Sequence, residues 1–436
     1  MADVISVNAL LAKNSLASMH NKTVFAHMID RQLDKQYGTV NNANGFKTGS
    51  TISINRPARV KSTTGANLAI DADGNAITIN DFVEDPVTFV VNNTYDRLKV
   101  AHEFDAEQLE LELTNEKSRI GDPQGMQLAN DLESKMLREC LVGVQCGEVA
   151  VGNATLGTPI GVLDMLEAQA YLDILTAPME DRSFLIPPFT RAQLSRENAT
   201  LFTPEQNSTI VTKGYIKEYA GADMYSYNML PTLSVPALAG AGAVSANVLD
   251  GANSVGVTFG TQTGTKVFPA GTLLKFTANG RVNPETRESI GRDYTFASLA
   301  DFTIPAGGGT VVITIDDSAK IYGPLDNGAR QNIEALPVQT DVVTIVGAKD
   351  SGTDNTVTVF DQVLMFNKQA FTGVNLPLPK NVKGADVQRA DYDGFSLRVV
   401  TQYAIGADDQ TTRFDIWGRA MSQRPEYSYK ILVPKS

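Results

Sequence analysis

Three histidines, His20, His27 and His102, are all the imidazole that this 436-residue chain possesses. So few exclude a histidine-rich metal site, and any Ser-His-Asp arrangement would have to draw on one of three residues placed early in the chain. The densest polar group is His102, Glu103 and Asp105 in "AHEFDAEQ". On a helix His102 and Asp105 could meet, whereas His102 and Glu103 would diverge. Asp105 also reads as an N-cap before "AEQLEL", supported by Gln108 at the third following position, and this cap excludes an uninterrupted helix from His102. A helix cap or an intersubunit contact accounts for these residues better than catalysis or metal binding.

The remaining strings that could do chemistry are equally sparse. "GVQCGEVAVG" lacks the Lys-Ser/Thr ending of a phosphate loop, and "GNATLG" lacks the strand-and-glycine spacing of a dinucleotide fold. "PAGGGTVVITI" is a turn before a strand. Cys140 and Cys146 stand six positions apart in a predicted helix, on different faces, and read as reduced structural thiols rather than a C-x-x-C pair. The "NKT", "NNT", "NAT" and "NST" acceptor strings imply glycosylation only in a secretory setting. No catalytic residue, metal ligand or cofactor is expected.

The elements around these residues explain more. A chain of 46.9 kDa exceeds the usual single core, so several domains or one elaborated domain are expected, and 42% apolar residues suffice to build them. Forty-nine acidic against 37 basic side chains give a formal charge of -12, which argues against an extensive nucleic-acid-binding face while allowing a local basic patch. "MADVISVNALLAKNSLASMH" does not read as a signal peptide, and no run approaches the length of a membrane span. The first 20 residues read as an arm with a short amphipathic helix, and 21–37 as a second helix carrying Val24, Phe25, Met28, Ile29 and Leu33. Extended runs around Ile52–Ile54 and in "PVTFVVNNTYDRLKVAHEF" flank a polar excursion, the pattern of a long projecting hairpin that must find its stability against another molecule.

The longest predicted helix follows Pro123, where Met126, Ala129, Leu132, Met136, Leu137, Cys140, Leu141 and Val144 form a stripe three or four apart. Another helix starts near Thr158 and stops at Pro178, followed by a strand over Phe184–Ile186 and a new helix after Pro188. Beyond about residue 232 the composition turns to β: "GTLLKFTANG", "RDYTFASLADFTI", "GGGTVVITI" and "DVVTIVGA" are strand candidates. In "GANSVGVTFGTQTGTKVFPAGTLLKFTA" the valines and phenylalanines alternate as core positions do, with Gly260, Gly264 and Gly271 at turns. After about 360 the mixed pattern resumes, with two strands around "GADDQ". An insertion is the economical reading of that order.

The helix containing "LANDLESKMLREC", the helix, strand and Pro-Pro-Phe turn of "LDMLEAQAYLDILTAPMEDRSFLIPPFTRAQL", and the opener "GTLLKFTANG" resemble the major capsid (coat) proteins of tailed bacteriophages. The branch is the P22-like one of the HK97-fold family, which carries an inserted β domain. The resemblance implies an α+β, HK97-like fold with a β-barrel-like insertion. It divides the chain into an N-terminal arm at 1–40, an extended hairpin (E-loop) at 41–100 and a peripheral domain with a long spine helix at 101–147. The first part of the body and axial domain follows at 148–231, the inserted β domain at 232–359, and the return strands of the body, axial and peripheral parts at 360–436.

The function so implied is that of a structural, non-enzymatic subunit. It would form the pentamers and hexamers of an icosahedral procapsid and then of the mature shell around double-stranded DNA. Implied partners are further copies of the chain, a scaffolding protein, a portal protein and a decoration protein, with DNA a non-specific neighbour, no membrane, and residence in the virion after assembly in the host cytoplasm. Lys47 and Lys61 lie in the hairpin, but P22-like relatives do not crosslink and that chemistry is not carried over. Arg56, Arg59 and Lys61 are the candidate intersubunit contacts, placed to pair with acidic groups on a neighbour. The alternative, a surface or secreted β-rich adhesion protein, accounts for the Gly/Thr/Asn-rich strands but needs an export route and leaves the 123–147 helix without a role.

Overall fold

The stripe from Met126 to Leu141 folds into the helix Asp122–Val142 of a computed structural model, with Val144 just beyond its end. The structure describes residues 7–31, 51–56, 85–90, 96–105, 122–152, 157–201, 218–219, 221–324, 330–350, 356–380, 384–404 and 409–435. Two compact units result, each assembled from three separate stretches of chain. One comprises Met1–Ile52, Phe89–Cys140 and Phe371–Ser422; the other comprises Ser53–Thr88, Leu141–Ala370 and Gln423–Ser436.

In the first unit the helix Val7–Lys22 lies against Asp122–Val142. A Cβ on Gly125 would fall 2.5 Å from the carbonyl oxygen of Ser15, so only glycine permits this approach. Ala129, Leu132, Met136, Leu137 and Cys140 are buried as the periodicity predicts, while Met126 is 40% exposed. After the first helix ends at Lys22, helix in the 23–31 stretch is confined to Phe25–Met28, and the buried Glu133 accepts from the backbone N–H groups of Phe25 at 2.8 Å and Ala26 at 2.9 Å. A carboxylate there satisfies donors that the short turn leaves unpaired.

The sheet of this unit runs in the order Phe371–Asn375, Asp409–Ser422, Phe395–Ala404, Asp386–Tyr392, with Arg97–Asp105 also pairing on Asp409–Ser422. Asp415 is fully buried at its centre and carries three guanidinium groups, from Arg97 at 2.7 Å, Arg398 at 2.6 Å and Arg413 at 3.0 Å. Strand pairing dictates the cluster: Arg398 is the cross-strand partner of Asp415, and Arg413 is two residues along the same strand and so on the same face.

In the second unit a seven-stranded sheet runs Gly147–Val149, Ser428–Pro434, Val357–Asn367, Arg182–Ile186, Ala222–Ser226, Glu218–Tyr219, and its seventh strand, Thr232–Pro236, pairs with Val357–Asn367 off that path. The register pairs Thr232 with Asp361 and Pro236 with Val357, so the intervening segment begins and ends on adjacent strands. Gly147 pairs with Lys430 in parallel, and a Cβ there would sit 2.2 Å from the Lys430 carbonyl oxygen. Asp164 accepts from the N–H groups of Val151, Gly152 and Gly161, which delays the expected helix start from Thr158 to Val162.

Between Thr232–Pro236 and Val357–Asn367 lies a six-stranded sheet, ordered Ser289–Ala297, Leu273–Val282, Val342–Ile345, Gly242–Val244, Ser254–Phe259, Gly309–Thr314. Val255, Val257 and Phe259 are buried and Ser254 and Thr258 exposed, the alternation read from the sequence. Gly264 and Gly271 take left-handed φ values of 82° and 83°, which suit glycine at turns. The β-barrel-like expectation fails. The sheet is open, because its end strands Ser289–Ala297 and Gly309–Thr314 each have one strand neighbour among the described residues and are not joined.

Closure requires a continuous stagger around the ring, and the middle strands Val342–Ile345 and Gly242–Val244 are only 4 and 3 residues long. A separate ribbon of Lys266–Phe268 and Phe302–Ile304 instead contributes Phe268 and Phe302, stacked at 5.0 Å, to the core. That core also contains Phe276, Phe296, Phe360 and Leu432, so it is continuous with the seven-stranded sheet. The α+β class holds.

Lys430 is buried completely, and its ammonium donates to the carbonyls of Leu141 and Gly271. Burial lowers its pKa from 10.5 to about 7. The unfolded chain therefore holds this proton between those two values while the folded chain does not, and stability rises with pH across that window. Lys430→Met is expected to flatten the pH dependence of chemical unfolding between about pH 7 and pH 10; an unchanged slope would disprove the assignment. Asp415→Asn leaves three cations without their buried anion and is expected to cost about 3–5 kcal/mol in denaturant titrations.

Candidate functional site

Two of the three histidines meet. The helix Val7–Lys22 carries His20, and the turn that follows places His27 with ring centroids 4.6 Å apart. Both face Asp393: His20 Nε2 lies 3.0 Å and His27 Nδ1 3.7 Å from its Oδ2. Thr23 Oγ1 sits 3.0 Å from His27 Nε2 and fixes the ring orientation. Asp393 and Gly394 form the two-residue turn between Asp386–Tyr392 and Phe395–Ala404, with φ values of 45° and 77°. Positive φ at both positions is the twist-matched hairpin geometry that Asp-Gly favours.

Two imidazoles and one carboxylate are a set that a divalent ion can take. Arg31, however, brings its guanidinium to 3.6 Å from the same Oδ2 and donates to the Asp393 carbonyl oxygen. The carboxylate thus already has a cation beside it, which a dication would meet as a like charge. The arrangement fits an ion-pair latch holding the amino-terminal stretch to the turn. Burial, aided by the charges of Arg31 and His20, lowers the pKa of His27; the hydrogen bond from His20 lowers that of Asp393.

The sequence-predicted cluster at 102–105 does not form. Arg97–Asp105 is a strand and not the helix on which residues 102 and 105 could meet, and within it His102 and Glu103 take opposite faces. His102 Nδ1 lies 2.6 Å from Gln124 Nε2 and its ring packs on Phe414, and burial lowers its pKa. The helix cap proposed for Asp105 involves Gln108, outside the described residues. Cys140 and Cys146 are buried free thiols pushed up in pKa by burial, as structural cysteines are.

Of the hairpin cations, Arg59 and Lys61 lie outside the described residues. Arg56 is half-buried in Thr51–Arg56, which pairs with Asp85–Val90, and its Nη1 donates to the Ser318 carbonyl oxygen at 2.9 Å. No described helix is long and apolar enough to cross a membrane. The surface instead carries large exposed apolar side chains around two helices of the second unit: Leu163 at 61% and Leu166 on Val162–Ile174, Met179, and Phe189 at 82% in the first turn of Pro188–Leu201. Single exposed apolar residues are ordinary, but large ones grouped along consecutive elements mark places for contact.

Residues 219–429 match the family model described as P22 coat protein, gene protein 5. No curated protein matches. Among solved structures the chain is similar to one titled Mycobacterium phage Che8, at 10% identity and TM-score 0.47 over 94% of this chain and 90% of that one. It is also similar to the capsid of cyanophage P-SCSP1u, at 13% identity and TM-score 0.41 over 90% and 85%. A virus-like particle from Pyrococcus furiosus gives 9% identity and TM-score 0.40 over 98% and 100%.

Because His27 and Asp393 both bind protons less readily in the folded chain, acid favours release of the latch. His27 acts from its ordinary 6.5 downward and Asp393 from its ordinary 3.8 downward. Hydrogen exchange over residues 7–30, corrected for intrinsic rates, is expected to quicken between about pH 7.5 and pH 5. Asp393→Asn should quicken it at both values.

Proposed function

We infer that this chain, a member of the P22 coat-protein family across residues 219–429, is a structural subunit of a self-assembling icosahedral shell. The family match carries the reading. Its chemistry agrees with it: the polar groups that meet are ion pairs and caps holding the fold, while the exposed apolar side chains lie where another copy can cover them. The work is structural and not catalytic. A subunit repeated many times gains avidity from several modest contacts, each weak enough to be corrected during assembly.

On this reading the chain forms the pentamers and hexamers of a procapsid and of the mature shell around double-stranded DNA. It does so in the host cytoplasm with scaffolding and portal proteins, and a decoration protein is an optional partner at the exterior. Residues 1–40 serve as the arm, 41–100 as the hairpin, 101–147 as the peripheral part with its spine helix, 148–231 and 360–436 as the body, and 232–359 as the inserted β domain. Arg56, Arg59 and Lys61 bring positive charge from the hairpin to neighbouring subunits.

Negative-stain microscopy and sedimentation of the purified chain, alone and with its scaffolding protein, test the assignment: megadalton shells are expected, and a persistent monomer under both conditions would overturn it. Phe189→Asp and Arg59→Glu are each expected to leave a folded subunit by circular dichroism and to lower shell yield. Unchanged yield would remove that residue from the interface.

A further inference from the structure

A cavity of about 230 Å³ opens within the second unit, on the side where Thr51–Arg56 meets the segment 317–333. Its wall gathers Arg56, Arg281, Lys320, Arg330 and Arg424 against one carboxylate, Glu426. Five cations around one hollow stand out in a chain whose formal charge is -12.

Stacking and backbone carbonyls hold most of these cations. Arg281 lies over the Tyr294 ring at 4.5 Å and donates to the Thr295 carbonyl oxygen at 2.8 Å. Arg330 lies over Tyr322 at 4.6 Å and Arg424 over Tyr427 at 5.3 Å. Lys320 reaches Asp317 at 3.7 Å. Cation–π contacts orient a guanidinium without cancelling its charge.

Two further groups on this wall point to a missing acceptor. Arg281 and Ser318 are 5% and 3% exposed, and Arg281 Nε and Ser318 Oγ have no hydrogen-bond partner among the described residues. Buried polar groups in folded proteins are nearly always paired. The hollow far exceeds the roughly 15 Å³ that one water needs on this measure. An occupant with several acceptor oxygens and more than one negative charge would answer the gathering of cations along the wall.

We propose that this cavity is a binding site for a compact, multiply charged oxyanion of the phosphate class, presented as free phosphate or as a phosphate monoester. Guanidinium forks match the oxygens of such a group, and a charge of two offsets the wall better than the single charge of a carboxylate does. The site is contained in one chain, so it is independent of the shell reading and can be tested on the unassembled subunit.

Calorimetric titration of the full-length chain with inorganic phosphate, at constant ionic strength set with chloride, is expected to show saturable binding to one site and a raised melting temperature. Nucleoside monophosphate in a parallel titration distinguishes the two sources: tighter binding than phosphate identifies a monoester, and weaker binding identifies the free ion. Lys320→Gln and Arg330→Gln, both at less buried positions, should each weaken binding about tenfold. Ser318→Ala removes a hydroxyl that makes no hydrogen bond as donor or acceptor in the described structure and should weaken binding while preserving the fold. Absence of saturable binding, or binding that all three variants leave unchanged while remaining folded, would overturn the proposal.

Discussion

Every N–H and C=O along Val357–Asn367 has to find a partner, and the second unit is organised around meeting that demand. Ser428–Pro434 pairs along one edge, while Thr232–Pro236 takes the first half of the other edge and Arg182–Ile186 the second half. The same pairing closes the base of the segment between 236 and 357, because its two ends are antiparallel neighbours. A long excursion from the sheet is tolerable when its ends are tied in this way, since closing a longer loop adds little further entropy cost. The core shared by Phe276, Phe296, Phe360 and Leu432 then makes folding of the excursion and of the sheet beneath it a joint event.

Buried charge is handled in two ways. Asp415 is compensated by three guanidinium groups whose positions follow from strand register, and Glu133 by backbone donors at a short turn. Lys430 has carbonyl oxygens for partners, and burial pushes it toward the neutral amine. A charge that is paired resists change of pH, whereas one that is merely desolvated couples the fold to it. The half-buried Glu139 belongs with the second kind: burial raises it to about 7 despite the Ala420 N–H and the Lys135 and Arg419 cations.

The polar contacts of the first unit serve attachment. His20, His27, Arg31 and Asp393 tie the amino-terminal stretch to a hairpin turn, and Arg56 ties the strand Thr51–Arg56 to the Ser318 carbonyl. Each contact is local and individually modest. Phe189 and Leu163 stay exposed, large apolar side chains left without cover.

What the sequence determined by itself is whatever depends on local periodicity and turn chemistry. The stripe of Asp122–Val142, the alternation of Ser254–Phe259, the strands on either side of "GADDQ" and the glycines at 264 and 271 follow from side-chain spacing and from allowed φ values, which neighbours along the chain dictate. The scarcity of histidine was equally legible, but not that His20 and His27 would meet Asp393 across more than 360 residues. The Asp-Gly dipeptide at 393–394 signalled a turn and nothing about what would dock there. Only the tertiary structure decided that the inserted sheet stays open, that Asp415 collects three arginines, and that five cations surround one cavity. Those outcomes depend on strand order and on which distant segments share a face, and neither is encoded in the spacing of residues along a single element.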